Sequence, residues 1–269
     1  RVCEFADGSA GRGLVATQTI VPGQPIVSIP WDIVISVDAA LKAPYAHAFA
    51  EARLDEEEIL MVFLLKEMHD PRSPWAPYFR IIPAQYASSP LLWPVGDLAE
   101  LDGASLLDDV VQSKTALHGI YERLFPRLSD ACPEVFPKEV FTYENWLVAR
   151  CIFDSRCFKI NVDGKTHNCL VPLADMVNHF PAGNVSFRRY DKPTQCIVLE
   201  CLRPIGPGTE VRMNYGLFQN WESLMQYGMV DPDNPDDSLY FEIDPSCFME
   251  CEDVAEQARD LMTQHGLPL

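Results

Sequence analysis

Apolar and polar positions follow a strand-like rhythm early and late in this chain, and a helical rhythm in between. Leu14-Val15-Ala16-Thr17, leading to Ile20, and Pro25 to Pro30 read as two short strands around the Val21-Pro22-Gly23-Gln24 turn. From Asp55 to about Arg150 the spacing turns helical. Asp55-Glu56-Glu57-Glu58 places carboxylates where the positive end of a helix dipole favours them, ahead of Ile59, Leu60, Phe63 and Leu64. Leu106, Val110, Leu117, Ile120, Tyr121 and Leu124 form one apolar face at mostly helical spacing. Thr142 predicts the N-cap of a helix carrying Trp146, Ala149, Arg150 and Phe153, since its hydroxyl suits a first-turn N–H.

Strand patterning then returns. Asp163-Gly164 is a hairpin turn between Lys159-Ile160 and Cys169-Leu170-Val171. Residues 184–190 and 195–201 predict an antiparallel pair joined at Asp191-Lys192-Pro193, and Gly206-Pro207-Gly208 turns into Glu210-Val211-Arg212-Met213. Asn220 predicts the cap of a short helix that Gly228 ends. Asp231 to Asp237 reads as an acidic, proline-bearing linker, and Val254 to His265 as a last helix before Gly266. The order is β, a helical stretch, β again, then the beginning of another helical piece.

Composition narrows the function. With 21 Lys and Arg against 39 Asp and Glu, the formal charge of −18 repels phosphates and argues against nucleic acid, while suiting a basic protein segment or simply an acidic surface. The longest apolar run, Ile59 to Leu65, is broken at once by Lys66 and Glu67, so no membrane span is expected. The opening Arg1-Val2-Cys3-Glu4-Phe5 lacks the layout of a secretory signal. The nine cysteines are scattered and include no Cys-x-x-Cys, which predicts reduced thiols in an intracellular compartment and no metal site.

The densest chemistry is Leu-Ala-Asp-Met-Val-Asn-His at 173–179, followed by Met-Asn-Tyr-Gly at 213–216 and Tyr227-Gly228. Polar groups of this kind among apolar residues cost on the order of 1–3 kcal/mol each if buried without partners, so their presence points to binding. With Gly11-Arg12-Gly13-Leu14-Val15-Ala16, Trp75-Ala76-Pro77-Tyr78-Phe79, Ile82-Pro83, Leu91-Leu92-Trp93 and Ser155-Arg156-Cys157-Phe158 in this order, the chain resembles the SET-domain protein methyltransferases. The resemblance is to the branch that includes Rubisco large-subunit lysine methyltransferase and actin-histidine methyltransferase.

That resemblance implies a mainly β SET fold, α+β overall, of small curved sheets with a knot-like C-terminal segment and a large helical insertion. The SET domain would occupy 1–50 and 151–230, the insertion 51–150, and residues 231–269 a linker and the start of a helical substrate-binding lobe. It implies S-adenosyl-L-methionine as methyl donor, held by Ala10, Gly11 and Arg12 through backbone groups and by Arg156, Asp175, Met176, Asn178 and His179. Many relatives carry an acidic residue where Ala10 stands. Arg156 would pair with the cofactor carboxylate, Asn178 would meet its amino-acid end, and the His179 backbone its adenine. Tyr215 would orient amine and sulfonium methyl for catalysis. Phe158, Tyr215 and Tyr227 would line the substrate pocket, with Phe158 favouring lysine because the histidine-methylating branch places a polar amide near that position. The partner would be a lysine-bearing segment of a protein, with no nucleic acid and no membrane, in the cytoplasm or a plastid.

Methyl transfer of this kind is a direct displacement, and orienting the reactants supplies roughly 7–11 kcal/mol. Near neutrality only on the order of one lysine amine in a thousand is uncharged, which an apolar channel and a sulfonium charge would both improve. Trp75, Tyr78 and Trp93 read as packing for the insertion, and His118 and His167 receive no role. Three rival readings remain: a protein-histidine N-methyltransferase, a catalytically silent SET protein that binds a partner, and a cysteine hydrolase using Cys169 with His179.

Overall fold

The computed structural model describes residues 1–4, 11–83 and 85–238 together with positions 256, 260, 263 and 264; the side chains of 186–189 are not among the described features. The chain divides into two compact units, Arg1–Asn234 and Pro235–Leu269. Of the second, residues 235–238 and the positions 256, 260, 263 and 264 are described, the last four all helical, so the expected helix over 254–265 otherwise lies outside the described residues.

The first unit opens with strands β1 (Val2–Glu4), β2 (Arg12–Val15), β3 (Pro25–Pro30) and β4 (Ile35–Ser36). Seven helices follow: α1 (Val37–Ala40), α2 (His47–Glu51), α3 (Glu56–His69), α4 (Ala76–Phe79), α5 (Val95–Leu98), α6 (Ser105–Ala131) and α7 (Tyr143–Arg156). Then come β5 (Cys157–Val162), β6 (Lys165–Leu170), β7 (Asn178–His179), β8 (Val185–Asp191), β9 (Cys196–Cys201), β10 (Glu210–Met213) and α8 (Asn220–Tyr227). The strands form three small sheets, ordered β1-β2-β10-β7, β3-β9-β8 and β4-β6-β5.

The two early strands exist where expected but do not share a sheet. β2 pairs with β1 and β10, whereas β3 pairs with β9. The intervening turn docks on the 201–205 segment instead of closing a hairpin: Ile20 and Ile205 exchange backbone hydrogen bonds, and Gly23 N–H donates to Cys201 O at 2.8 Å.

The middle of helix α3, residues 59–65, is apolar all round because it is covered all round. Leu60, Val62, Leu64 and Leu65 are fully buried and Ile59, Met61 and Phe63 nearly so. Its start is fixed by a reciprocal box: Glu58 N–H donates to Asp55 Oδ1 at 2.8 Å, and Asp55 N–H to Glu58 Oε2 at 3.1 Å. Phe125, Phe136 and Phe141 share the same core as α3 and form a run of ring contacts that reaches Trp146 on α7, which donates its indole N–H to Leu117 O at 3.2 Å. Thr142 caps α7 by accepting from Asn145 N–H at 3.3 Å. That helix runs straight into β5, delivering Arg156 and Phe158 to the same end of the molecule.

The β5–β6 hairpin turns at Asp163 and Gly164, whose φ values of 50° and 89° explain the Asp-Gly pair. The β8–β9 pair also forms as its pattern predicts. One cap differs: Gln219, not Asn220, caps α8, in a reciprocal box with Glu222. Asn220 is committed elsewhere, donating to Asp231 O at 2.9 Å and accepting from Asp231 N–H at 3.1 Å. The join that builds the site is β7 lying parallel to β10, with Arg212 opposite Asn178 and Met213 opposite His179. Parallel neighbours need a long connection, so this contact joins segments more than 30 residues apart.

Among the described residues, no helix is long and apolar enough to cross a membrane, and no group of His, Cys, Asp and Glu side chains is arranged to hold a metal.

Candidate active site

The chain leaves β10 at Met213 and enters Asn214-Tyr215-Gly216, a turn stitched to the end of β7. Phe180 N–H donates to Met213 O at 2.9 Å, and Asn214 Nδ2 to Pro181 O at 3.1 Å. A Cβ on Gly183 would stand 2.7 Å from backbone atoms of Met213 and Asn214, so only glycine permits this approach. Tyr215 is held at two points. Its N–H donates to His179 Nδ1 at 3.1 Å, and its hydroxyl donates to Val177 O at 2.7 Å. Burial raises the phenol pKa further above its ordinary value, so the hydroxyl stays a proton donor at neutral pH. The imidazole pKa is lowered by burial, partly offset by Asp231.

A second polar cluster stands beside it. Asp175 lies in a short 3-10 turn, Ala174–Met176, entered through Leu173 at a left-handed φ of 74°. Its Oδ2 accepts from Tyr78 hydroxyl at 2.7 Å and from Arg156 Nη1 at 2.9 Å; Arg156 Nη1 also reaches the Asp175 carbonyl at 3.2 Å. Arg156 Nε donates to Tyr86 hydroxyl at 3.1 Å. The Asp175 side chain is 1% exposed, and its Oδ1 is the single buried side-chain oxygen or nitrogen without a partner among the described residues. Burial pushes the Asp175 carboxyl above its ordinary range while Arg156 pulls it back. Arg156 is raised by Asp175 against the opposing effect of burial, and remains a cation.

A third set joins β2, β7 and β10. Asn178 Nδ2 donates to Glu210 Oε1 at 2.8 Å and to the Arg12 carbonyl at 3.2 Å, and Glu210 Oε2 pairs with Arg212. Gly11, at φ 62°, precedes Arg12 with open space where a Cβ would be.

Two cavities meet at Tyr215. One, of about 310 Å³, is lined by Ser155, Phe158, Asp175, Tyr215, Gln226 and Tyr227 among others. The other, of about 490 Å³, is lined by Pro181, Gly183, Asn214, Tyr215, Gly216 and Leu217 among others. The Tyr215 ring lies 5.0 Å from that of Tyr227, and Tyr227 packs edge-on against Phe218.

The structure thus gathers Phe158, Asp175, Tyr215 and Tyr227 around one cavity, with Arg156 bonded behind Asp175. Arg12 on β2 and Asn178 and His179 on β7 flank β10, the strand that leads into Tyr215. Met176 is 3% exposed and belongs to the core. Ala10 lies outside the described residues. Tyr78, read from sequence as packing, is a ligand of Asp175; Trp75 and Trp93 do pack, each donating its indole N–H to a nearby carbonyl. Sequence reasoning missed Tyr86, Glu210 and Gln226. Glu210 left one signal, since alternation along β10 sets Glu210 and Arg212 on the face opposite buried Val211 and Met213.

Thiol chemistry finds no support here. Cys157 and Cys169 both set their sulfurs against the Phe158 carbonyl, and burial pushes the Cys157 thiol up to about 12 and Cys169 higher still. His179 accepts the Tyr215 N–H at Nδ1, which leaves its other ring nitrogen protonated and unable to act as a base.

A family model described as the SET domain matches residues 11–216, and the chain belongs to the SET-domain family. It is similar to N-lysine methyltransferase SETD6 of Bos taurus, 27% identical over 241 residues that cover 85% of this chain and 53% of that protein. It is also similar to actin-histidine N-methyltransferase of Danio rerio, 22% identical over 275 residues, 99% of this chain and 45% of that protein. A solved structure described as "Structure of Rubisco LSMT bound to AdoMet" superposes with a TM-score of 0.74 at 25% identity, covering 87% of this chain and 52% of the other. The fold is therefore the mixed α+β SET fold. The chain spans about half the length of the curated relatives it matches.

Proposed function

We propose that this chain is the catalytic part of an S-adenosylmethionine-dependent protein methyltransferase that modifies a lysine side chain. The observation that carries the reading is the position of Tyr215, fixed at both its amide and its hydroxyl and standing in the wall of two cavities. A displacement needs its two reactants held in one orientation, and a side chain fixed at two points can supply it.

The residues fit the cofactor. Gly11 leaves room for close backbone approach, Asn178 commits its Nδ2 to the chain and keeps its carbonyl oxygen for an ammonium, and Arg156 supplies a cation for a carboxylate. Asp175, with its unpartnered Oδ1, Met176, the His179 backbone and Arg12 complete the described set. Bound there, S-adenosylmethionine supplies an electrophilic methyl group on a sulfonium.

The substrate side is the cavity lined by Phe158, Tyr215 and Tyr227. Removal from water inside it disfavours a charged amine, lowering its pKa toward the nucleophilic form. The Tyr215 hydroxyl and the Val177 and Asp175 carbonyls provide fixed dipoles to orient the nitrogen. No side chain is needed as a dedicated base, because water removes the proton before transfer.

A second reading is kept by one observation. Phe158 is apolar, as the lysine reading asks, yet Gln226 brings an amide to the same cavity, donating its Nε2 to Asp154 O at 3.3 Å. An amide is what an imidazole substrate would use. The helices over 51–150 would act as the insertion, and residues from 231 onward as the start of a substrate-binding lobe. The free thiols support an intracellular setting, cytoplasmic or plastid.

Labelled methyl transfer to a cell extract, followed by mass spectrometric mapping, tests the proposal. Label on lysine of a protein is expected; label on histidine would establish the second reading. No transfer, together with no calorimetric binding of S-adenosylhomocysteine to the full-length protein, would overturn both.

A further inference from the structure

His179 contributes more than backbone to this site. Its Nδ1 lies 3.1 Å from Tyr215 N and has no role there except acceptor, because the peptide N–H is a donor only. The ring must therefore be neutral and carry its proton on Nε2. The imidazole and phenol rings lie 5.2 Å apart, tilted by 59°. The other bond of Tyr215, from its hydroxyl, ends on Val177, two residues before His179. The short segment 177–179 thus holds both ends of one tyrosine, across a connection of more than 30 residues.

We propose that the His179 imidazole is a positioning residue that sets Tyr215 for the reaction, acting only as its neutral Nε2–H tautomer. The catalytic consequence rests on the methyltransferase reading; the positioning itself does not. Protonation of Nδ1 would turn an acceptor toward a donor, so the turn 214–216 would lose its anchor. The titratable groups set against the ring are Asp231, following α8, and Tyr215 itself, following β10. Asp231 favours the imidazolium and burial opposes it, with burial the larger effect. The acid limb of activity therefore falls below the ordinary histidine range near 6.5.

Three full-length forms decide the matter: wild type, His179→Asn and His179→Phe. An asparagine amide oxygen stands close to where Nδ1 stands and does not titrate, while phenylalanine keeps the ring and removes the acceptor. Nitrogen NMR of the wild type should show His179 protonated on Nε2 at neutral pH. Hydrogen exchange at the Tyr215 amide should be faster by about fivefold to tenfold in His179→Phe, the worth of one hydrogen bond, and restored in His179→Asn. Methyl transfer to free L-lysine should drop by about a hundredfold in His179→Phe through kcat, and survive in His179→Asn without the wild-type acid limb. A proton found on Nδ1, or a Tyr215 amide exchanging equally in all three proteins, overturns the inference. If the NMR and exchange results hold while the wild type transfers no methyl group, the positioning stands and the failure belongs to the proposed function.

Discussion

The helical region and the β7–β10 junction bury their side chains by different rules. Around α3, α6 and α7 the buried groups are almost all apolar, with few polar exceptions such as Glu67, which accepts from Tyr45, and Glu58, which pairs with Asp55 and with Arg123. At the junction the buried polar groups find partners far along the chain: Tyr78 with Asp175, Asn178 with Arg12, and Tyr215 with Val177. The first region gains stability from area removed from water, about 1.5–3 kcal/mol per large side chain. The second holds a fixed geometry at a cost in desolvation that only complete pairing offsets. The proposed active site is thus the region whose stability depends most on its long-range partners being present.

Removing one side of the buried pair should break that balance most severely. Asp175→Ala leaves Arg156 and Tyr78 buried without their acceptor and is expected to cost about 3–5 kcal/mol in denaturant unfolding. Leu64→Ala, in the fully buried face of α3, should cost about 2–5 kcal/mol through its cavity, yet leave binding of S-adenosylhomocysteine within a few-fold of wild type. Equal losses of cofactor binding in the two variants would erase the contrast between the regions. A subtler effect follows from His179, whose folded pKa lies below its unfolded value. Its contribution is present above pH 6.5 and is lost as pH falls from there toward the folded pKa, so thermal stability of the wild type should decline over that interval more than that of His179→Asn. The smallest effect belongs to the local cap: Asp55→Ala should cost about 1 kcal/mol in thermal unfolding and leave methyl transfer untouched.

The same division explains what the residue pattern revealed. Caps, hairpins and helix faces depend on neighbours within a few positions, so the start of α3, the Asp163-Gly164 turn and the β8–β9 pair were legible. Pairing between distant strands was not. Nothing local tells Leu14 that its partner strand is β10 and not β3, and nothing local tells Asn220 that Asp231 outbids its own helix end. The site was legible in its motifs, through family resemblance, but not in its bonds. Arg156 carried no mark of being held by Asp175 and Tyr86, and Tyr78 looked like packing because its ring is packed; only its hydroxyl, 97 residues from Asp175 in sequence, serves the site. The reading of His179 as a backbone contact missed an imidazole whose partner is a peptide N–H, a bond with no side-chain signature.

In the proposed function Tyr215, anchored by Val177 and His179, orients a methyl transfer at the cavity lined by Phe158, Asp175 and Tyr227. Tyr215→Phe tests it with the least disturbance, since the ring, its packing on Tyr227 and its amide bond to His179 are all retained. Single-turnover methyl transfer to the protein substrate should fall by about 100- to 1,000-fold, the usual effect of removing one oriented donor, while calorimetric affinity for S-adenosylhomocysteine stays within a few-fold. Transfer by the phenylalanine variant at close to the wild-type rate would contradict the account.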